Sequence, residues 1–131
     1  MIDAVSFDTA RRLKAAGFPQ PEFAGGQSWY DTDAQLFWVK CVETPHIHGE
    51  WFGDDHAGFV EQPHGDEMFA PASTDILRHL PGNFRLAFNR DEYDGHFVVW
   101  NMADNDEEEI ISFHANPAGA CAQAWLEFSR A

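Results

Sequence analysis

The sequence predicts an α+β protein, a single domain over residues 1–131 in which about four to five antiparallel strands pack with three helices. Three observations predict this class. Apolar residues recur at helical spacing near the start, middle and end of the chain. Short alternating segments bounded by turn residues lie between them. With 131 residues, 44% of them hydrophobic, the chain can bury one core. The predicted order is α-β-β-loop-α-β-β-β-α.

The first helix is predicted from its two ends and its apolar stripe. Ser6 is a favourable N-cap, because its hydroxyl can accept a hydrogen bond from a free amide of the first turn. Phe7 and Leu13 follow on one face. Gly17 stands where a left-handed residue ends a helix, and Pro19 prevents continuation.

Two strands are predicted next, over 28–30 and 36–42, around a turn. The second strand is apolar on both faces, so Trp38 and Cys41 are expected inside the protein. Residues 43–70 contain several glycines, prolines and charges, and they predict a packed long loop with room for one short strand.

The second half of the chain predicts a helix, three strands and a final helix. Ser73 or Thr74 caps the helix over 73–80, and Asn116 caps the last one, with Pro117 at its first position. The strands are expected at 84–88, 96–102 and 110–115. The buried face of the last helix is predicted to consist of Ala118, Cys121, Ala122, Trp125 and Phe128. Trp100 is also expected in the core.

Three blocks of this sequence are together similar to segments of one group of small proteins. They are "SFDTARRLKAAGFPQP", "FAPASTDILRHLP" and "NPAGACAQAWLEF". The chain thereby resembles small bacterial and phage-type proteins of unknown function, and the resemblance implies this order of elements but no activity. Two positions depart from the group's pattern. Ala72 replaces the usual Thr before the second helix, which should shift the cap to Ser73, and Gly119 replaces a common acidic residue.

The chain is strongly acidic. Eight Lys and Arg against 22 Asp and Glu give 8 − 22 = −14. Direct nucleic-acid and membrane partners are therefore not expected, since both require clustered basic residues. The acidity leaves three interpretations open: a solvated surface, an interaction with a basic protein, or a cation-binding surface. Between residues 15 and 77 the only base is Lys40, against eleven acids.

Cys41 and Cys121 are the only cysteines, and their spacing excludes a zinc knuckle. Two free, buried thiols are predicted, with one long-range disulfide as the alternative. The first 17 residues lack the basic start and apolar run of a secretory signal, which predicts a cytoplasmic protein.

Histidines and carboxylates form the candidate metal ligands. His46 and His48 would point the same way on a strand, and with Glu50 they could bind a transition metal. His56 and His64 are further candidates. The simpler interpretation is that all of these side chains are solvated loop residues, with no metal and no other cofactor.

Neither catalysis nor calcium binding is predicted. The sequence contains no Gly-x-Ser-x-Gly elbow and no glycine-rich phosphate loop with a lysine, so no catalytic residue is assigned. Asp104, Asp106 and Glu108 alternate as calcium ligands do, but the central glycine of a calcium loop is missing. A solvated hairpin loop is predicted there.

A partner-binding patch is predicted within residues 43–70. Trp51 and Phe52 are apolar, and Asp54 with Asp55 would give them an acidic rim. These observations predict a non-enzymatic binding or accessory protein that acts through contacts with an unidentified, basic protein. Two alternatives stay open: an inhibitor that mimics nucleic acid, and a metal-binding protein that uses histidine and carboxylate ligands.

Overall fold

The computed structural model describes residues 2–43, 46–52, 57–60, 66–89, 96–102 and 108–129, with the backbone alone at 57–60, 89, 102 and 108–110. Within these ranges the α+β class and its three helices are confirmed. The elements in chain order are α1 (Phe7–Ala15), β1 (Ser28–Tyr30), β2 (Leu36–Glu43), β3 (His46–Trp51), β4 (Ala57–Val60), β5 (Met68–Phe69), α2 (Ser73–Leu77), β6 (Phe84–Asn89), β7 (His96–Met102), β8 (Glu108–His114) and α3 (Pro117–Ser129).

The chain divides into two compact units. The first unit is residues 10–70, and the second unit is residues 1–9 together with 71–131. Each unit holds one antiparallel sheet, with strand order β4-β3-β2-β1-β5 in the first and β6-β7-β8 in the second. The one predicted sheet is thus two sheets. The single-domain assignment stays a prediction.

Helix α1 has the two ends that its sequence predicts. The amide of Thr9 donates to the Ser6 hydroxyl at 3.2 Å. Gly17 adopts a φ of +90°, and the amide of Phe18 donates to the Leu13 carbonyl at 2.9 Å. This pattern closes the C-terminus of a helix and brings the following side chain back onto it. Phe18 is accordingly buried.

An aromatic layer forms the inner face of the first sheet. Trp29 lies opposite Phe37 on one side and Phe69 on the other. Phe23 stacks on Trp29 with ring centroids 4.1 Å apart, and Trp51 meets Phe37 edge-on at 5.1 Å. Such pairs stabilise beyond the area they bury, by about 0.5–1.5 kcal/mol each.

Residues 43–70 are not the long loop that their composition predicts, because they contain β3, β4 and β5. In β3, Ile47 and Gly49 are buried whereas His46 and Glu50 are exposed. This alternation is typical of a strand with one face in the core and the other face exposed to water. Cross-strand pairing with β2 and β4 outweighs the low strand preference of Gly49.

In the second unit, α3 packs against β7, β8 and α2. The Ser112 hydroxyl donates to the Ala120 carbonyl at 2.6 Å, which attaches the helix to β8. The predicted cap is confirmed, since the side-chain oxygen of Asn116 accepts from the amides of Ala118 and Gly119 at 2.9 and 3.3 Å. Among the described residues, no helix is long and apolar enough to cross a membrane.

The chain start supplies the acceptors at the beginning of α2. Asp3 accepts from the Ser73 amide at 3.1 Å and from the Ser73 hydroxyl at 2.7 Å. Asp75 accepts from the Ala72 amide at 2.9 Å. The prediction that Ser73 or Thr74 caps this helix is therefore wrong: Ala72 is the N-cap residue, and it has no side-chain cap.

Helix α2 is also shorter than predicted, because it ends at Leu77 instead of residue 80. The amides of His79 and Leu80 donate to carbonyls three residues earlier, at 2.9 and 3.1 Å. These tighter bonds replace the last α-helical turn.

Burial confirms part of the predicted core. Trp125 is buried and Trp100 is half-buried. Trp38 was expected inside but is 36% exposed, because it lies between the inward-facing Phe37 and Val39. Phe128 was expected on the buried face of α3 but is 45% exposed, and its ring contacts Phe84 edge-on.

We predict that Gly119→Ala destabilises the protein by about 1–3 kcal/mol, although alanine favours a helix by about 1 kcal/mol relative to glycine. A Cβ at residue 119 would lie 2.5 Å from Nδ1 of His114. That atom accepts the Asn116 amide at 2.9 Å, so the displaced ring loses this bond. Denaturant unfolding measures the effect.

The same substitution in a His114→Ala background is the control. There the Cβ meets no ring, so Gly119→Ala should stabilise the protein. A stabilising Gly119→Ala in the wild-type background would show that the imidazole moves away without loss.

Candidate functional site

Strands β2 and β3 form a hairpin whose two faces differ chemically. Phe37, Val39 and Ile47 are buried on the inner face. On the outer face Trp38 lies opposite Glu50, and Cys41 lies opposite His48. The polar and reactive side chains of the hairpin thus share one face of the sheet.

A β-bulge at Lys40 determines this arrangement. Val39 pairs with Gly49 and Cys41 pairs with His48, so Lys40 is an extra residue in β2. Without it, Cys41 would continue on the inner face of Val39, because side chains alternate along a strand. The extra residue turns Cys41 to the outer face. The prediction that Cys41 is buried is therefore wrong: it is exposed.

Gly25 provides the space that the bulge needs. A Cβ at Gly25 would lie 2.6 Å from the Lys40 carbonyl oxygen, closer than any side chain tolerates. On either side, the amide of Gly26 donates to the Val39 carbonyl and the amide of Val39 to the Gln27 carbonyl, both at 2.8 Å. The turn before β1 thus holds the bulge from outside the hairpin.

Three potential metal ligands meet on the outer face of the hairpin. The Cys41 sulfur, a Glu43 carboxylate oxygen and a His48 ring nitrogen all lie within 4.8 Å of one another. Nε2 of His48 is 3.4 Å from Oε2 of Glu43. The Glu43 side chain is 76% exposed and that of His48 31%, although Nε2 of His48 is itself covered from solvent.

These distances suit a tetrahedral metal ion. Zinc binds nitrogen and carboxylate oxygen at about 2.0–2.2 Å, which places two such ligands about 3.4 Å apart across a tetrahedron. The observed separation of 3.4 Å between His48 and Glu43 equals that edge. The sulfur of the exposed Cys41 lies within 4.8 Å of both of these atoms. The cluster is close to a ligating geometry.

The structure brings only part of the predicted metal set together. His48 belongs to the cluster. Glu50 instead pairs with Lys40, whose Nζ lies 2.6 Å from its Oε1. His46 is exposed at the next outward position, opposite Glu43. The remaining candidates, His56 and His64, lie outside the described residues.

Sequence reasoning missed Cys41 and Glu43. Their spacing contains the information, because two residues separate Cys41-x-Glu43 from His46-x-His48 in the sequence. In an antiparallel hairpin, two residues that are two positions apart on one strand share a face with the two residues opposite them on the other strand. The spacing becomes informative only once both segments are recognised as strands and the bulge is known.

The predicted partner patch is only partly present. Phe52 is 38% exposed. Trp51 is half-buried and packs on Phe37 of the inner face. Asp54 and Asp55 lie outside the described residues, as do the calcium candidates Asp104 and Asp106; Glu108 is described by its backbone alone. The described exposed aromatic side chains on this hairpin are Trp38 and Phe52.

The second cysteine has a different environment. Cys121 is a free thiol buried in α3. Burial, and secondarily the negative charge of Asp3, raise the pKa of Cys121 to about 12. The thiol therefore stays protonated and is a poor nucleophile and a poor ligand.

Comparison of the chain with protein-family models, with curated proteins and with solved structures finds no match.

We expect the two thiols to differ in reactivity. In the native protein, one thiol should react rapidly with a colorimetric disulfide reagent, and unfolding should expose the second, because Cys41 is exposed and Cys121 buried. The Cys41→Ser variant should lose the rapid phase. Two rapid thiols, or none, would contradict the burial described.

We expect Gly25→Ala to destabilise the protein by about 1–3 kcal/mol, because its Cβ displaces the Lys40 carbonyl. Gly82→Ala is the matched control, since a Cβ there meets nothing within 4 Å. Denaturant midpoints measure both. Equal midpoints for the two variants would contradict the role of Gly25 in the bulge.

Proposed function

We propose that this protein binds one divalent transition-metal ion, with zinc as the reference metal, through Cys41, Glu43 and His48. The observation that carries the proposal is the convergence of the three donor atoms within 4.8 Å on a solvent-accessible face. Compared with the metal site that the sequence predicts, this site uses the carboxylate of Glu43 instead of Glu50 and adds the thiolate of Cys41.

The donor set supports a transition metal over calcium or magnesium. Thiolate and imidazole ligands suit zinc and its neighbours, whereas calcium and magnesium require oxygen ligands. A Cys41 thiolate and the Glu43 carboxylate together neutralise a divalent charge.

The charge of the chain supports capture of a cation. A net charge of −14 concentrates cations around the protein. Lys40 lies on the same hairpin but is engaged by Glu50 at 2.6 Å, which offsets its repulsion of an incoming ion.

We also propose, as a second function, that the protein acts as an accessory protein through contacts with another protein. Trp38 and Phe52 are 36% and 38% exposed, and exposed aromatic residues favour protein contacts. A nucleic-acid mimic has less support on this hairpin, because such a mimic needs a continuous line of carboxylates. Here His48 lies between Glu43 and Glu50, and Lys40 pairs with Glu50.

A cytoplasmic location and a relation to bacterial and phage-type proteins remain proposals. Both cysteines are free thiols, which supports a reducing compartment. A reducing compartment would also keep Cys41 available as a ligand, because oxidation of the thiol removes the donor.

Zinc affinity, measured by competition with a chromophoric chelator, tests the metal proposal. Glu43→Gln should weaken binding by at least about tenfold, as loss of a ligand does. Glu50→Gln removes the same charge from the same face and frees Lys40, so it should lower the affinity by much less than Glu43→Gln. Equal losses in both variants would reduce the effect to surface charge, and a wild-type protein that does not bind zinc would end the proposal.

Thermal or denaturant unfolding gives an independent measurement. Zinc at 100 times its Kd should stabilise the native protein by about 2.7 kcal/mol. The Cys41→Ser variant should show no such gain at the same zinc concentration.

A further inference from the structure

We infer that His46 is the fourth ligand of the metal site, so that the bound ion is enclosed by four protein side chains. This inference rests on the proposed function and names the ligand that completes it. The observation that carries it is the strand register: Cys41 lies opposite His48, and Glu43 lies opposite His46.

Two neighbouring cross-strand pairs of this kind place four side chains at the corners of a small rectangle. Directly opposed Cβ atoms are about 4.5–5.5 Å apart, and residues two apart on one strand are about 6.6 Å apart. Three of the corners already converge within 4.8 Å. The fourth corner is His46, an exposed residue on the same face.

The bulge at Lys40 makes the rectangle possible. Because it turns Cys41 and Glu43 to the outer face, both residues oppose histidines. With a regular β2, the outer face would present Lys40 and Val42 opposite the two histidines. The coincidence of one bulge with an alternating Cys-x-Glu and His-x-His pattern is what a four-ligand hairpin site requires.

The donor geometry suits the completed site. The Glu43 carboxylate is the central donor, because it lies 3.4 Å from Nε2 of His48 and is the direct cross-strand partner of His46. An ion held by Glu43 is therefore within reach of the His46 imidazole after side-chain rotation. One sulfur, two nitrogens and one oxygen form a tetrahedral set typical of zinc.

Four protein ligands and three have different chemical consequences. A site with three ligands keeps a water molecule that the metal can activate, whereas a closed site holds the metal without an open position. With His46 in place, the ion joins β2 to β3 and serves structure, storage or sensing. A water molecule in the fourth position is the competing arrangement.

The experiment uses the full chain with cobalt(II) as a spectroscopic probe and zinc for affinity. Wild-type protein with cobalt should show the intense visible absorption of a tetrahedral ion and a sulfur-to-metal charge-transfer band. The His46→Ala variant should keep the charge-transfer band, lose visible intensity as water enters, and bind zinc at least about tenfold more weakly.

His79→Ala is the matched control, because His79 is exposed and lies in the other unit. It should retain the wild-type spectrum and affinity. Denaturant unfolding of the metal-free proteins should show that His46→Ala leaves the fold intact, as expected for an exposed residue.

The outcomes separate the two proposals. Unchanged cobalt spectrum and zinc affinity in His46→Ala would overturn the fourth ligand and leave the three-ligand site standing. A wild-type protein that binds neither metal would overturn the proposed function and this inference together. Losses that are equal in His46→Ala and His48→Ala would support the closed site.

Discussion

One extra residue in β2 decides which side chains the first sheet presents to water. The bulge at Lys40 reverses the facing of every residue that follows it in the strand. Gly25 lies against the Lys40 carbonyl, where a Cβ would come within 2.6 Å. The outer ligand cluster depends on this register, because a shift by one residue would place Cys41 and Glu43 on the opposite face.

Packing in the second unit depends on similarly close contacts. Gly119 lets the His114 ring lie directly against α3, and the ring accepts the Asn116 amide at the helix start. The Ser112 hydroxyl binds the Ala120 carbonyl one turn further along. The strand before the helix therefore holds its first two turns. The close contact between the His114 ring and α3 requires a residue without a side chain at position 119. This explains why a glycine, which weakens a helix, occurs inside α3.

The sequence predicted best where structure follows from local chemistry. Ser6, Gly17 and Asn116 end or begin helices through bonds to residues within five positions, and those interactions are visible in a short segment.

Interactions with residues distant in the sequence could not be predicted in this way. Ala72 needs no side-chain cap, because Asp3 and Asp75 accept the free amides of α2. β3 is a strand because β2 and β4 flank it. Cys41 is exposed because of the bulge at Lys40, which no local sequence pattern predicts. The candidate site also depends on distant partners. The sequence therefore identified only His46 and His48 among its four proposed ligands.

The contacts of Asp3 make the second unit discontinuous in the chain. Its carboxylate holds the Ser73 amide and hydroxyl, and the Asn116 side chain donates to the Ile2 carbonyl at 2.8 Å. Residues 10–70 are inserted between these partners as a unit of their own. During synthesis the ribosome therefore releases the whole first unit before the opening residues can find their partners. A fusion or deletion at residues 2–5 would act on helices some 70 and 110 positions away, and loop closure over that length is a slow, non-local step in folding.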